Sequence, residues 1–384
     1  NPDTWAGYVI RLFAETAVYK LGLTGTPVSN SPAQLAHMAY TLNAKVRGAD
    51  SSRMQKPKYF YQNGDVASDV LDKAHFAEFH EHFVDRVDKS FLNLTASKYL
   101  ELEYDPFVGH VAPDGSVNEE AIREHNDVLA DAQHMVIGGG SNRRVNLAKG
   151  GIAVVTRLHQ FEFNAVLGLH GAAHFKVGGS DSQKAAWDHK RLDEAIAEPS
   201  QAMRLIERVI QSRQAGDCHP RIAVFCESET ELKILEGHLA RAETSVGKLF
   251  FFDARLSAIG KKKMIDDFLE CRKGVILLTR AGGVGINLVP GCEVMLSVGS
   301  LPWNKTTVEQ AFGRIQRIGQ TRDVELIQFV ARRSATRSKL KLHADKGRLA
   351  RAAVDGDFSG FSDADGTTWK EKKTVVQRCV PLDA

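Results

Sequence analysis

The stretch RIAVFCESETELKILEGHLAR, residues 221–241, joins two local patterns that recur downstream. RIAVFC (221–226) is a short β-branched run, and ETELKILEGHLAR (229–241) carries apolar residues at helical spacing. KLFFFD (248–253) is apolar again, and SAIGKKKMIDDFLE (257–270) reads as a helix. Three more strand candidates follow, GVILLT (274–279), EVMLSV (293–298) and VELIQFV (324–330), with helical patterns at 304–317 and 334–351. Apolar runs alternating with helices imply α/β architecture, a parallel sheet covered on both faces. This domain is expected over roughly 200–351.

Upstream the pattern changes. VYKLGLT (18–24) suggests a strand running into the turn GTP (25–27), with a helix starting near Ser31-Pro32. A single strand makes no sheet, so residues 1–43 read as the remnant of another lobe. Residues 44–199 are rich in His, aromatic and polar residues, with helical patches at 67–87 and 118–136, and read as a mostly helical insertion. Residues 352–384 lack an apolar period and read as a flexible tail.

Composition narrows the function. The 384 residues carry a net charge of +3, too small an excess to argue for nucleic acid without local clusters. Five cysteines form no C-x-x-C pair, so neither a disulfide framework nor a structural zinc site is expected. No apolar run reaches the ~18 residues that span a membrane. The chain begins with Asn1 rather than Met and reads as the downstream part of something longer.

The chemistry-bearing segment is VEQAFGRIQRIGQTRDV (308–324). On a helix beginning near Asn304 or Thr306, Gln310, Arg314 and Arg317 would share one face. Val308, Ala311, Ile315 and Ile318 would form the buried stripe opposite, and Gly319 would end the helix. Two arginines held outward suit an anion, though a solvated polar face would look the same. TRAGGVGINL (279–288) follows a strand, and its glycines let a backbone approach a phosphate closely. With LTGTPVSN (23–30), PWN (302–304) and QAFGRIQRIGQTRDV in this order, the combination is highly specific.

In these segments the chain resembles the Swi/Snf-type ATPases of helicase superfamily two. LTGTPVSN resembles their motif III, RIAVFCES motif IV, TRAGGVGINL motif V and QAFGRIQRIGQT motif VI. The resemblance is good over about 20–45 and 200–350. RLHQF (157–161) and FVDRVDKSFLNLTASK (83–98) are similar more loosely to two further family segments. Ser300 stands where the family commonly has Asp, and Lys305 where it has Pro. The tail of the lobe, SKLKLHADKGRLARAA, resembles the branch that often carries a RING insertion, absent here for want of paired cysteines.

The resemblance implies a motor of two RecA-like lobes, with ATP and Mg²⁺ in the cleft between them and double-stranded DNA, chromatin included, lying across both. Arg314 and Arg317 match arginine fingers that reach the γ-phosphate, and Gln310 would align them. Thr24, Gly25, Thr26, Gly283 and Gly285 would couple nucleotide to lobe movement. Thr279, Arg280, Gly282, Trp303 and Asn304 would follow a DNA strand through its phosphates. The resemblance also implies a nuclear protein of chromatin remodelling or DNA repair.

The phosphate cradle G-x-x-x-x-G-K-[ST] and the Asp-Glu-Ala-His box appear nowhere in the 384 residues. DEAI (193–196) is a decoy, inside a helical pattern and not after a strand. The chain alone is therefore expected not to hydrolyse ATP. Two rival readings stand beside this one, an RNA helicase and a non-catalytic scaffold that binds DNA or partners. Other candidates are weaker. His75, His80 and His82 do not converge on one helix face, so no metal site is expected; GGGSNRRVN (138–146) reads as a loop; Lys261–Lys263 is either a DNA-facing patch or a solvated helix start.

Overall fold

A computed structural model describes residues 5–23, 34, 38, 92–106, 119, 122–123, 125–130, 155–171, 192–252, 256–280, 285–302, 305–341, 343–344 and 347. Its two compact units are Asn1–Phe91 with Asn304–Thr306 and Lys341–Lys373, and Leu92–Trp303 with Thr307–Leu340 and Thr374–Ala384. In the first unit, α1 (Trp5–Thr16) buries Ala14 and leaves Trp5, Leu12 and Phe13 exposed. Residues 18–23, expected as a strand, form no regular element and are exposed. A strand without a hydrogen-bonding neighbour has nothing to hold it extended.

The second unit is built on six strands: β1 (Ser97–Tyr104), β2 (Arg221–Phe225), β3 (Lys248–Phe252), β4 (Gly274–Leu278), β5 (Val294–Ser297) and β6 (Val324–Ala331). They pair in the order β1-β6-β5-β2-β4-β3, every pair parallel. The α/β expectation holds. Alternate residues along each strand enter opposite cores. Ile222, Val224, Val275, Leu277 and Leu296 pack under α2 (Ala165–Gly171), α3 (Gln201–Gln214) and α4 (Glu229–Arg241). Ala223, Phe225, Ile276, Leu278 and Met295 pack under α5 (Ala258–Glu270) and α6 (Lys305–Phe312). Serine hydroxyls of Ser200, Ser228 and Ser257 accept from the first-turn N–H groups of α3, α4 and α5 and fix where those helices start.

Two findings depart from the expected helical insertion over 44–199. β1 is a strand, in register with β6 from Ser97↔Val324 to Tyr104↔Ala331. Phe163, Val166, Leu167 and Ala195 belong to the same core as the sheet. Asn164 ties this segment down: its Nδ2 donates to the Ala195 carbonyl at 3.2 Å and its Oδ1 accepts from Leu167 N at 3.1 Å. Residues 192–197 are helical, as the decoy reading of DEAI required. The patch at 67–87, its histidines, most of 118–136 and GGGSNRRVN lie outside the described residues.

Candidate nucleotide and nucleic-acid site

Val308, Ala311 and Ile315 are buried as the sequence pattern requires. The helix beneath them is shorter than expected. It ends at Phe312, although Gly313 N and Gln316 N still bond four residues back, to Glu309 O at 2.9 Å and Phe312 O at 3.0 Å. Arg314 N and Ile315 N then bond three residues back, to Ala311 O and Phe312 O, each at 3.0 Å. A tertiary bond accompanies the change. Leu288 N donates to the Arg314 carbonyl at 3.1 Å, taking the acceptor that a continuing helix would need. Gln310 therefore sits on α6, whereas Arg314 and Arg317 sit on the turn after it and share no helix face with it. Ile318, expected in the buried stripe, is 68% exposed.

The turn is fastened at its far end as well. Gln320 is buried, and its Nε2 donates to Cys292 O at 3.0 Å and Ile315 O at 3.1 Å. Gly319 adopts φ 98°, a left-handed value that glycine takes without strain. The segment 288–292, immediately after the glycine-rich stretch, thus holds the arginine turn at both ends. Arg314 is half-buried and Arg317 exposed. Burial lowers the Arg314 pKa, and the neighbouring Arg317 charge lowers it further.

A second group stands where the sheet order reverses, with β2 between β4 and β5. Crevices at the carboxyl ends of such strands are where open parallel sheets take ligands. Thr279 and Arg280 leave β4 there, and Arg280 Nη1 lies 3.6 Å from Glu227 Oε1 just beyond β2. Burial raises the Glu227 pKa, against the lowering effect of Arg280 and Lys339. Gly285 takes φ 82° in open space. Gly282, Gly283, Trp303, Asn304, Thr24, Gly25 and Thr26 lie outside the described residues.

Three side chains unread in the sequence organise these strand ends. Glu231, 1% exposed on α4, accepts from Ser300 N and Ser300 Oγ, both at 2.6 Å, and from Cys226 Sγ at 3.1 Å. Burial raises its pKa in spite of those donors. Glu162 accepts from Ala335 N at 2.6 Å, Thr336 N at 3.2 Å and Thr336 Oγ1 at 2.7 Å, capping the helix over 335–341 from another element. Lys339 on that helix donates to the Leu301 carbonyl and stands 3.5 Å from His159 Nε2. The residues leading to Trp303 are thus gripped from α4 and from the last helix. Among the described residues no group of three His, Cys, Asp or Glu could hold a metal ion, and no helix is long and apolar enough to cross a membrane.

Residues 202–319 match the family described as the helicase conserved C-terminal domain. The match takes in β2 to β5 and both arginines of the turn. The DNA repair protein RAD5 of Candida glabrata is 32% identical over 155 residues, covering 39% of this chain and 13% of that protein. The RAD5 of Saccharomyces cerevisiae is 31% identical over 155 residues, covering 39% and 13%. An uncharacterized ATP-dependent helicase of Bacillus subtilis, YqhH, is 38% identical over 95 residues, covering 25% of this chain and 17% of that protein. The crystal structure of the C-terminal part of the Fun30 ATPase domain aligns with a TM-score of 0.46 at 16% identity, covering 69% of this chain and 98% of that one. The chain spans 13% of the length of the RAD5 relatives. These likenesses support a helicase C-terminal portion of the Swi/Snf type in this chain.

Proposed function

We propose that this chain is the finger-bearing lobe of an ATP-dependent translocase on double-stranded DNA, working in chromatin remodelling or repair in the nucleus. Arg314 and Arg317 act as arginine fingers on the γ-phosphate of ATP, and Gln310 aligns them. Thr24, Gly25, Thr26, Gly283 and Gly285 couple the nucleotide to lobe movement. Thr279, Arg280, Gly282, Trp303 and Asn304 contact backbone phosphates of the duplex. ATP and Mg²⁺ are held mainly by motifs that these 384 residues lack, so the chain alone turns over no ATP. The observation that carries this reading is a turn bearing both arginines, hydrogen-bonded at each end to the segment that follows the glycine-rich stretch.

Grafting residues 92–341 in place of the matching lobe of an active Swi/Snf-type ATPase tests it. DNA-stimulated hydrolysis is expected to return, and Arg314→Gln or Arg317→Gln to cut kcat by ~10³–10⁵-fold with duplex affinity retained. A finger variant that leaves kcat unchanged would refute the assignment. Binding of the chain itself should favour duplex DNA over RNA, with log affinity falling against log salt by about 0.9 per phosphate contacted. Binding that is indifferent to salt, or that prefers RNA, would overturn the duplex reading.

A further inference from the structure

Glu227 is unaccounted for by the nucleotide and DNA contacts above. It follows β2 directly, at the reversal of sheet order, and its N–H donates to Ser300 O at 3.4 Å. One carboxylate oxygen, Oε1, faces the Arg280 guanidinium at 3.6 Å. The other, Oε2, is buried and finds no hydrogen-bond donor among the described residues. Arg280 itself is 64% exposed. The pair is single, long and half in water, so it restrains the guanidinium weakly. A phosphate can offer the same guanidinium two short charge-assisted bonds at once, which this carboxylate does not.

We infer that Glu227 is an internal stand-in for a DNA phosphate, parking Arg280 until a duplex backbone displaces it. The inference rests on the proposed duplex-binding role of Arg280. An ionised carboxylate left beside an incoming phosphate repels it, so displacement favours uptake of a proton by Glu227. Its surroundings support that. The charges that face it are Arg280 after β4 and Lys339 of the 335–341 helix, while Glu231 of α4 spends its oxygens on Ser300 and Cys226. Burial outweighs both cations and raises its pKa, which eases that uptake. Duplex binding is therefore tighter at lower pH, and Glu227 sets part of that slope.

The test is fluorescence anisotropy of a labelled DNA duplex against the full 384-residue chain from pH 5.5 to 8 at fixed ionic strength. Wild type, Glu227→Gln, Arg280→Gln and the double variant are compared, with thermal melts to confirm folding. At pH 8, Glu227→Gln is expected to bind about 2- to 5-fold tighter than wild type, the range an exposed pair allows, and to respond less to pH. That gain is expected to vanish in the Arg280→Gln background. Glu227→Ala, which leaves no amide behind, carries the same expectation if the amide disturbs folding. The stand-in is refuted if wild type binds duplex in a salt-dependent way yet both Glu227 variants bind no tighter. A gain that survives without Arg280 refutes it too. A wild-type chain that binds no duplex at any salt sinks both the stand-in and the DNA-binding role, a result distinct from the first two.

Discussion

Ser300 shows how one residue reads differently by itself and in place. Against the family pattern it is a departure, a serine where an aspartate is common. In the structure its N–H and hydroxyl both donate to buried Glu231, which reaches in from α4. The carboxylate at this point comes from another element, and a second one would repel it. Gly299 completes the fit, since its φ is 61° and an added Cβ would lie 2.1 Å from Glu231 Oε2. Ser300→Ala is expected to cost about 1.5–3 kcal/mol, the range for a hydrogen bond to a charged group. Ser300→Asp, although it restores the family residue, should cost more, because two carboxyl groups must share a buried site with a proton. Adding Glu231→Gln should recover part of the Ser300→Asp loss. Urea midpoints for the four proteins close the cycle, and a Ser300→Asp protein as stable as wild type would contradict this account. The segment that carries the arginines stood out in the sequence because its residue types and order resemble a family motif. Glu231 did not, since a lone glutamate in the first turn of a helix looks like a dipole partner and its target lies 69 residues away.

At the scale of elements, β2 to β6 were readable because continuous apolar runs bounded by polar turns are what a doubly covered parallel sheet demands. β1 was legible in principle, for SKYLELEY alternates Leu100, Leu102 and Tyr104 with Tyr99, Glu101 and Glu103, the period of an edge strand. Its partner is more than 200 residues away, and no local pattern specifies that pairing. The end of α6 was misread for a related reason. Periodicity continues through Ile318, but the regular helix stops at Phe312, and the Arg314 carbonyl accepts from Leu288 N rather than from a further helical turn. The arginine turn then depends on Gln320, which satisfies two buried carbonyls on either side of it. Gln320→Leu should destabilise the lobe by about 1–3 kcal/mol through those orphaned acceptors. It should also raise the hydrogen-exchange rate of the Leu288 amide well above that of amides within β4. Unchanged protection at Leu288 would mean that the turn is held by other means.

For the whole lobe, pH is the variable that separates its buried groups. Burial lowers the pKa of His159, and the neighbouring Lys339 lowers it further, outweighing Glu162. Burial likewise lowers His125 and His238. An imidazole kept neutral in the fold contributes fully above its unfolded value of about 6.5. That contribution is lost as pH falls from there through the lower folded value, because the unfolded chain then binds the extra protons. Glu162 behaves differently. Burial raises its pKa, but bonds from His159, Thr336 and Ala335 N outweigh that and leave it below the ordinary carboxylate range, so its support fails only in stronger acid. Burial raises the pKa of Glu227, Glu231 and Glu236, which pull the other way, adding stability as pH falls through their raised values. The melting temperature should begin to fall just below pH 6.5, where the unfolded histidines charge. His159→Gln should lower the melting temperature at pH 7.5, where its contact with Thr336 is lost, and flatten the decline between pH 7 and 5.5. Thermal melts of both proteins across that range provide the check: parallel curves would mean that His159 is not held neutral in the fold.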